Sequence, residues 1–528
     1  MDYSIASLLQ VHYHFRIGGV REVICGYSKA FSAINGPGSF NALMCSHDQH
    51  DNDSDLKIIN ITECDYQDPT DKESFFYLRD LLVKKIDSVL EKVPSPVAIL
   101  CHNMSLAKNP CLSSALRVLA RKKDPCKYRF FWVLHDLAEE GRIDMIEKVT
   151  RLQSIGIDIR EELYALGAPV HFLVPGAHVY SILKNSGFAV SLLPNPLRLN
   201  TKVNNTPART VLLEHLKTLA LSDGFTFDPQ RPICCYPARI IRRKNVLEAV
   251  VIACILLDAN LVLGVPGRTL LDRNFYEELI KLLREMKLRV AINTARLPWK
   301  LLTGDSEYDG NPVPYLYKTC DLAVSTSLSE GFGYALYEPW LFQKAVLARR
   351  PAGFIYPQGM NSSLLYDHFP VPLEWICWKS LKEKYYQYYS RFVGESSAVK
   401  AEEHLIVDET IDFGALDTEM QIQVLRKIIA DETDKQKMSI LFRKMFPGWR
   451  GIIDFALIDE TLIRKNRDAV MNTYSDQCFR SCFRECISII PAYNDRSFDY
   501  KKILLESWKC GFKLFFSYSG SYNENVTK

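Results

Sequence analysis

From Ser4 to Leu193 short apolar runs alternate with longer segments of helical spacing, and after a polar break the same alternation begins again at Ile233. No other feature constrains the fold as strongly. Compact apolar runs separated by amphipathic stretches are the pattern of a parallel sheet with helices on both faces. In the first set, strands are expected at Ser4–Val11, Lys57–Ile61, Val97–Cys101, Phe130–Leu134, Val170–Val174 and Ala189–Leu193. Helices are expected between them at Val20–Ala33, Ser74–Lys92 and Cys111–Arg121. In the second set the strands fall at Ile233–Tyr236, Asn260–Val265, Leu288–Asn293, Leu322–Ser325 and Ala345–Ala348. The helices there are Asn245–Leu257, Phe275–Lys287 and Tyr334–Gln343.

The break opens with Pro194-Asn195-Pro196, continues through Asn204, Asn205 and Pro207, and returns to turn-rich composition over 225–232. Such clusters mark loops. The expected organisation is an α/β domain over 1–200, a linker over 201–230 with a short helix near 211–221, and a second α/β domain over 231–470. Two doubly wound domains of this kind would face a cleft, with ligands beyond the carboxyl ends of the strands. From about residue 355 the alternation weakens into a helical elaboration, with helices at Trp378–Phe392 and Thr418–Ile429. Asn466–Ile489 reads as one long amphipathic helix, leading into a C-terminal helical segment over 471–528 that can pack back on the first domain.

A length of 528 residues exceeds what one core usually serves. Lys and Arg total 65 against 62 Asp and Glu, so no basic excess points to a nucleic-acid partner. The N-terminus lacks a basic region followed by a long apolar run. The apolar stretch Val246–Val265 carries Glu248, Asp258 and Asn260, which a bilayer would penalise, so no transmembrane segment is expected. Fifteen scattered cysteines without a scaffold spacing suggest free thiols in a reducing compartment. The expectation is a cytoplasmic protein.

Two segments carry chemistry. From Leu322 to Glu338 a buried strand ends in a serine-rich turn that passes Glu330, Gly331, Phe332 and Gly333 into a helix. Glycines let a ligand approach the backbone, and the new helix offers unpaired N–H groups to an anion. The plainer reading makes Glu330 a dipole-stabilising carboxylate and Glu338 a solvated surface charge. The second segment, Cys235–Asn245, sets Arg239, Arg242, Arg243 and Lys244 between a strand and a helix. Such a cluster suits a diphosphate, which Arg binds bidentately and Lys as a point charge. A solvated basic turn is the alternative.

The spacing of Arg239 and Lys244, the Glu330–Gly–Phe–Gly…Glu338 pattern and Gly18-Gly19-Val20 together resemble the retaining glycosyltransferase family 4, which has the GT-B fold of two Rossmann-like domains. The resemblance spans residues 1 to about 355. It implies a hexosyl transfer from a nucleoside diphosphate sugar to a hydroxyl acceptor, needing no metal or other cofactor. Arg239 and Lys244 would hold the donor diphosphate and stabilise charge on the leaving phosphate. Glu330 would bind the transferred sugar, Glu338 the ribose hydroxyls, and Gly331, Phe332 and Gly333 would contribute backbone contacts. Gly18 and Gly19 would face the donor phosphates. His135, at a strand end, would touch the transferred sugar, completing the catalytic set. His102, Asn103 and Lys108 follow another strand and suit acceptor hydroxyls, a solvated loop being the alternative. Acceptors of the right kind are a small metabolite, a glycan or a lipid-linked sugar.

Other signals are weaker. His12 and His14 alternate on a strand but lack an evident third metal ligand. Asp51–Asp55 mimics a metal motif in a polar loop, and Gly264–Gly267 lacks the Gly-Lys-Ser/Thr ending of a phosphate loop. Cys478, Cys482 and Cys486 share a helical face, expected to be a buried stripe rather than a zinc site. Alternatives to transfer are another GT-B chemistry, such as an epimerase or phosphorylase, and a non-catalytic sugar-nucleotide-binding protein.

Overall fold

The computed structural model describes residues 5–16, 18–36, 38–46, 56–140, 143–197, 206–267, 270–304, 311–351, 354, 356–393, 405–448, 458–493, 503, 504 and 507. The acidic run Asp51–Asp55 lies outside them, as does most of the chain beyond 493. The chain forms two compact units, 1–197 with 474–510 and 198–473 with 511–528.

The first unit is built on seven parallel strands: β1 (Ser7–Val11), β2 (Phe40–Cys45), β3 (Lys57–Asn60), β4 (Val97–His102), β5 (Tyr128–Val133), β6 (Val170–Val174) and β7 (Val190–Leu192). Their order is β3-β2-β1-β4-β5-β6-β7. Successive side chains of a strand point to opposite faces. Leu9 and Ile99 therefore meet one core, with Phe75, Leu82 and Leu116 from helices α2 (Lys72–Leu90) and α3 (Pro110–Lys122). Leu8, Leu100 and Phe131 meet the other, with Tyr27 and Phe31 of α1 (Gly19–Asn35). Burial on both faces explains why β1 and β4 are mostly apolar, with Ser7, Gln10 and His102 as their buried polar positions. Helices α4 (Ile143–Ser154), α5 (Ile159–Glu162) and α6 (Ala177–Asn185) complete this part of the unit.

Strand β2 has no counterpart among the expected strands. Asn41 interrupts its apolar run, and inside the protein its Nδ2 donates to Ser28 Oγ at 2.6 Å. The long C-terminal helix expected over Asn466–Ile489 is instead two helices, Glu460–Tyr474 and Asp476–Ser488. Ser475 breaks it: its backbone is extended (φ −57°, ψ 152°) and its Oγ accepts the Cys478 N–H at 3.3 Å. The helix Asp476–Ser488 lies in the first unit, where Phe479 and Phe483 pack on Tyr27. Cys478 is exposed and only Cys486 is buried, so the buried stripe is Phe479, Phe483, Cys486 and Ile487 rather than the three cysteines.

The second unit holds a parallel sheet of β8 (Ile233–Tyr236), β9 (Asn260–Leu263), β10 (Val290–Ala291), β11 (Leu322–Ser325), β12 (Val346–Arg349) and β13 (Leu365–Tyr366). The order is β10-β9-β8-β11-β12-β13. Its helices include α7 (Arg209–Ser222), α8 (Val246–Val250), α9 (Leu270–Glu285), α10 (Trp299–Thr303), α11 (Val313–Thr319) and α12 (Tyr334–Leu341). The segment expected as a linker thus carries α7 and lies in this unit. Helix α8 continues as a wider π-helical turn over Val251–Leu256, and the strand expected over Leu288–Asn293 shortens to two residues. Asn293 ends it with a left-handed backbone (φ 58°). Past β13 a small antiparallel sheet joins β14 (Pro370–Pro372), β15 (Ile406–Val407) and β16 (Thr410–Asp412), followed by helices Thr418–Ala430 and Glu432–Met445. No described helix is long and apolar enough to cross a membrane.

Candidate active site

Strands β8 and β11 are neighbours, Cys235 lying opposite Ala323, so the loops leaving their carboxyl ends are brought together. The basic turn after β8 meets the serine-rich turn after β11. Tyr236 OH donates to the Lys244 carbonyl at 3.0 Å, the Thr326 hydroxyl lies 3.0 Å from that oxygen, and the Leu328 N–H donates to Arg243 O at 3.0 Å. Gly264 allows the loop after β9 to approach: a Cβ there would sit 2.3 Å from Ala238 O. The Ile240 N–H donates across this approach to Val265 O at 2.8 Å. Close backbone contact, not phosphate cradling, accounts for that glycine.

Within this frame Lys244 Nζ donates to Glu330 Oε1, and Arg243 reaches the Ser329 carbonyl at 2.8 Å with its guanidinium 4.0 Å from Glu330. The Lys244 and Glu330 side chains are only 12% and 10% exposed. Burial lowers the Lys244 ammonium to about 8; Glu330 opposes that shift, while Arg243 and the exposed Arg239 reinforce it. Burial alone would raise the Glu330 carboxyl, but Lys244 and Arg243 together hold it below its usual value. A cation held this close to neutrality is stabilised by a further negative charge.

The glycine turn follows directly. Gly333 has φ 97° and caps α12; a Cβ on it would stand 3.1 Å from Leu336 Cδ1 and 3.3 Å from Phe354 Cε2. Phe332 packs against Tyr334 and Tyr337, with ring centroids 5.1 Å away in both cases. Gly331 is half-buried in the same turn, and Glu338 lies half-buried one turn into α12.

Beneath the basic turn lies a buried ionic network. Asn245, left-handed at φ 51°, donates to Glu248 Oε2 at 2.8 Å and accepts from Gln421 Nε2 at 2.9 Å. Arg349, at the end of β12, pairs with Glu248 and binds both Asp412 oxygens at 2.7 Å. Tyr366 OH donates to Glu248 Oε1 at 2.6 Å. Burial works against the Arg349 charge, but Asp412 and Glu248 outweigh it and hold the guanidinium protonated. The residues past 355 therefore brace the basic turn from below. Arg243, Asn245, Gln421 and this network had no separate signal in the sequence, apart from Arg243 belonging to the basic run.

In the first unit, His135 follows β5 and His102 ends β4. Their rings are parallel within 6°, with His102 Nδ1 3.0 Å from His135 Nε2. His102 is fully buried and both its ring nitrogens are engaged, the second with Gln10 Oε1 at 3.0 Å, so it reaches a ligand only through His135. Asn103 Oδ1 accepts the His135 N–H at 2.8 Å, which commits that oxygen to holding the loop. Lys108 is half-buried beside Tyr66, its Nζ 3.4 Å from the hydroxyl, and His14 Nε2 meets the same hydroxyl at 3.0 Å. Arg16 pairs with Asp65 at 3.1 Å. Gly18 and Gly19 open α1, and a Cβ on either would meet no protein atom within 4 Å, so packing does not require glycine there. His12 turns its Nδ1 to the His14 carbonyl at 2.7 Å, and no group of three or more His, Cys, Asp or Glu among the described residues is placed to hold a metal ion.

No family model matches the chain. Among curated proteins, mannosylglucosyl-3-phosphoglycerate synthase of Petrotoga mobilis is 24% identical over 435 residues, covering 79% of this chain and 80% of that protein. Among solved structures, sucrose-phosphate synthase from Thermosynechococcus elongatus is similar with a TM-score of 0.50 at 14% identity, covering 90% of this chain and 96% of that one. A trehalose-6-phosphate synthase gives 0.50 at 10% identity, covering 92% and 100%. These likenesses define the fold as GT-B, with two Rossmann-like α/β units and a helical C-terminal region. The enzyme class follows from fold and relative together: the chain is a glycosyltransferase.

Proposed function

We propose that the chain is a retaining transferase of the family 4 type, moving a hexose from a nucleoside diphosphate sugar to a hydroxyl acceptor without a metal cofactor. The observation that carries this reading is the Lys244–Glu330 pair at the head of the glycine turn, with Arg243 beside it and Arg239 near enough to repel the Lys244 charge.

In the reaction, the bond between the sugar's C1 and the diphosphate oxygen breaks while the acceptor oxygen bonds to C1 on the same face. The acceptor's proton passes to the leaving phosphate. Negative charge grows on that phosphate, and fixed cations stabilise it more in the transition state than in the ground state. Arg239 and Lys244 take this role. Lys244 turns from Glu330 to the diphosphate, freeing Glu330 to accept hydrogen bonds from the sugar. Gly331, Phe332 and Gly333 give backbone contacts at the start of α12, and Glu338 binds the ribose. Gly18 and Gly19 leave room at the start of α1 for the donor phosphates, and His135 meets the transferred sugar. Lys108, which meets the Tyr66 hydroxyl together with His14, suits an acceptor bearing a negative group. The phosphoglycerate in the curated relative's name points the same way.

A thermal-shift panel of nucleotide sugars, followed by acceptors with and without a phosphate, tests the reading. One donor should stabilise the protein, and the product should keep the donor's anomeric configuration by NMR, with turnover unchanged by a chelator. Inversion at C1, or loss of turnover on chelation that a divalent metal restores, would overturn it.

A further inference from the structure

Gln10 is a polar residue in the mostly apolar strand β1, fully buried between Leu9 and Val11. Its Nε2 donates to the Ile24 carbonyl of α1 at 2.9 Å. A carbonyl only accepts, so this bond fixes which end of the amide is nitrogen. Gln10 Oε1 is then an acceptor, and the nitrogen 3.0 Å from it, His102 Nε2, carries a proton. A neutral imidazole has one N–H, which leaves His102 Nδ1 as a bare acceptor. The nitrogen facing it at 3.0 Å, His135 Nε2, must donate. His135 Nδ1 is left without a proton. That atom is buried with no partner among the described residues, in a side chain only 7% exposed.

We propose that Gln10 and His102 are positioning residues that lock His135 in its Nε2–H tautomer, so that His135 Nδ1 presents a bare lone pair to a hydroxyl of the bound sugar. The chain of bonds runs across three adjacent strand ends, β1, β4 and β5, from a helix carbonyl to the vacant acceptor. With His135 alone in the opposite tautomer, two lone pairs would face each other between His102 and His135; were His102 to flip as well, its bare Nε2 would face Gln10 Oε1 and that oxygen would lose its donor.

Charge does not break the relay. Burial lowers His135 to about 4, with Asp136 opposing, and lowers His12 to about 3. It also pushes His102 well below the usual imidazole range, helped by His135 and His12. Lys108 acts on His12 in the same direction. A buried acceptor without a donor is unfavourable, which is the mark of a place completed by a ligand. That the donor is a sugar hydroxyl rests on the transferase reading; the tautomer does not.

The test is two-bond 1H–15N NMR of the histidine rings, with signals assigned through His135→Gln and His102→Gln. The wild-type protein should show His135 protonated on Nε2 and bare on Nδ1 between pH 6 and 8. His102→Leu removes the acceptor, so His135 should populate both tautomers and transfer should slow roughly tenfold. His102→Gln should restore both, because its amide oxygen accepts from Nε2–H. A wild-type His135 protonated on Nδ1 would overturn the relay, as would a folded His102→Leu protein with unchanged tautomer and turnover. The expected tautomer in a protein that transfers no sugar would leave the relay standing and overturn the transferase reading.

Discussion

In the proposed reaction Lys244 is the cation that meets the donor diphosphate. Its ammonium is lowered to about 8 by burial, with Arg243 and Arg239 adding to the effect. A diphosphate beside it would raise that value, so donor binding takes up a proton once the pH exceeds about 8. Donor affinity should therefore be full below that pH and fall as pH climbs through it. A pH profile of kcat/KM for the donor checks this, and Lys244→Arg should move the inflection out of the accessible range because guanidinium stays charged. A flat profile up to pH 9.5 would contradict the assignment. Lys244 and Glu330 were legible in the sequence because strand-end loops of unusual charge stand out. Gln10 was not: a polar residue in a buried strand signals only that some partner exists, and the partner lies 92 residues away.

At the scale of elements, strands such as Ile233–Tyr236 and Leu322–Ser325 match their expected bounds residue for residue, since burial on both faces leaves a compact apolar signal. What escaped had a reason in local chemistry. Asn41 hid β2, and Ser475 ended a helix whose amphipathic pattern ran on through it. The glycine turn before α12 is the element most dependent on one residue type. Gly333→Ala must hold φ 97° and press a methyl against Leu336 and Phe354. It should cost about 1–3 kcal/mol, seen as a lower urea midpoint with an unchanged m-value. A midpoint equal to wild type would show that the turn tolerates a side chain.

Across the whole chain, the segment beyond 355 gains a physical role that its weak periodicity concealed. Tyr366, Asp412 and Gln421 close a buried network around Glu248 and Arg349, directly under the turn that carries Lys244. Charge pairing between distant segments leaves no periodic trace, so composition and spacing were silent about it. Arg349→Met would strand two buried carboxylates and should destabilise the protein by about 3–5 kcal/mol, read by denaturant unfolding. A loss below about 1 kcal/mol would mean the network is not what holds this region together. The most direct test of the account is turnover of Lys244→Ala and Glu330→Ala, each checked for a wild-type thermal melt, with the donor the wild-type protein uses. Both should lose at least about a hundredfold in kcat while remaining folded. Near-normal turnover in both would contradict the claim that this pair works on the departing diphosphate and the sugar it carries.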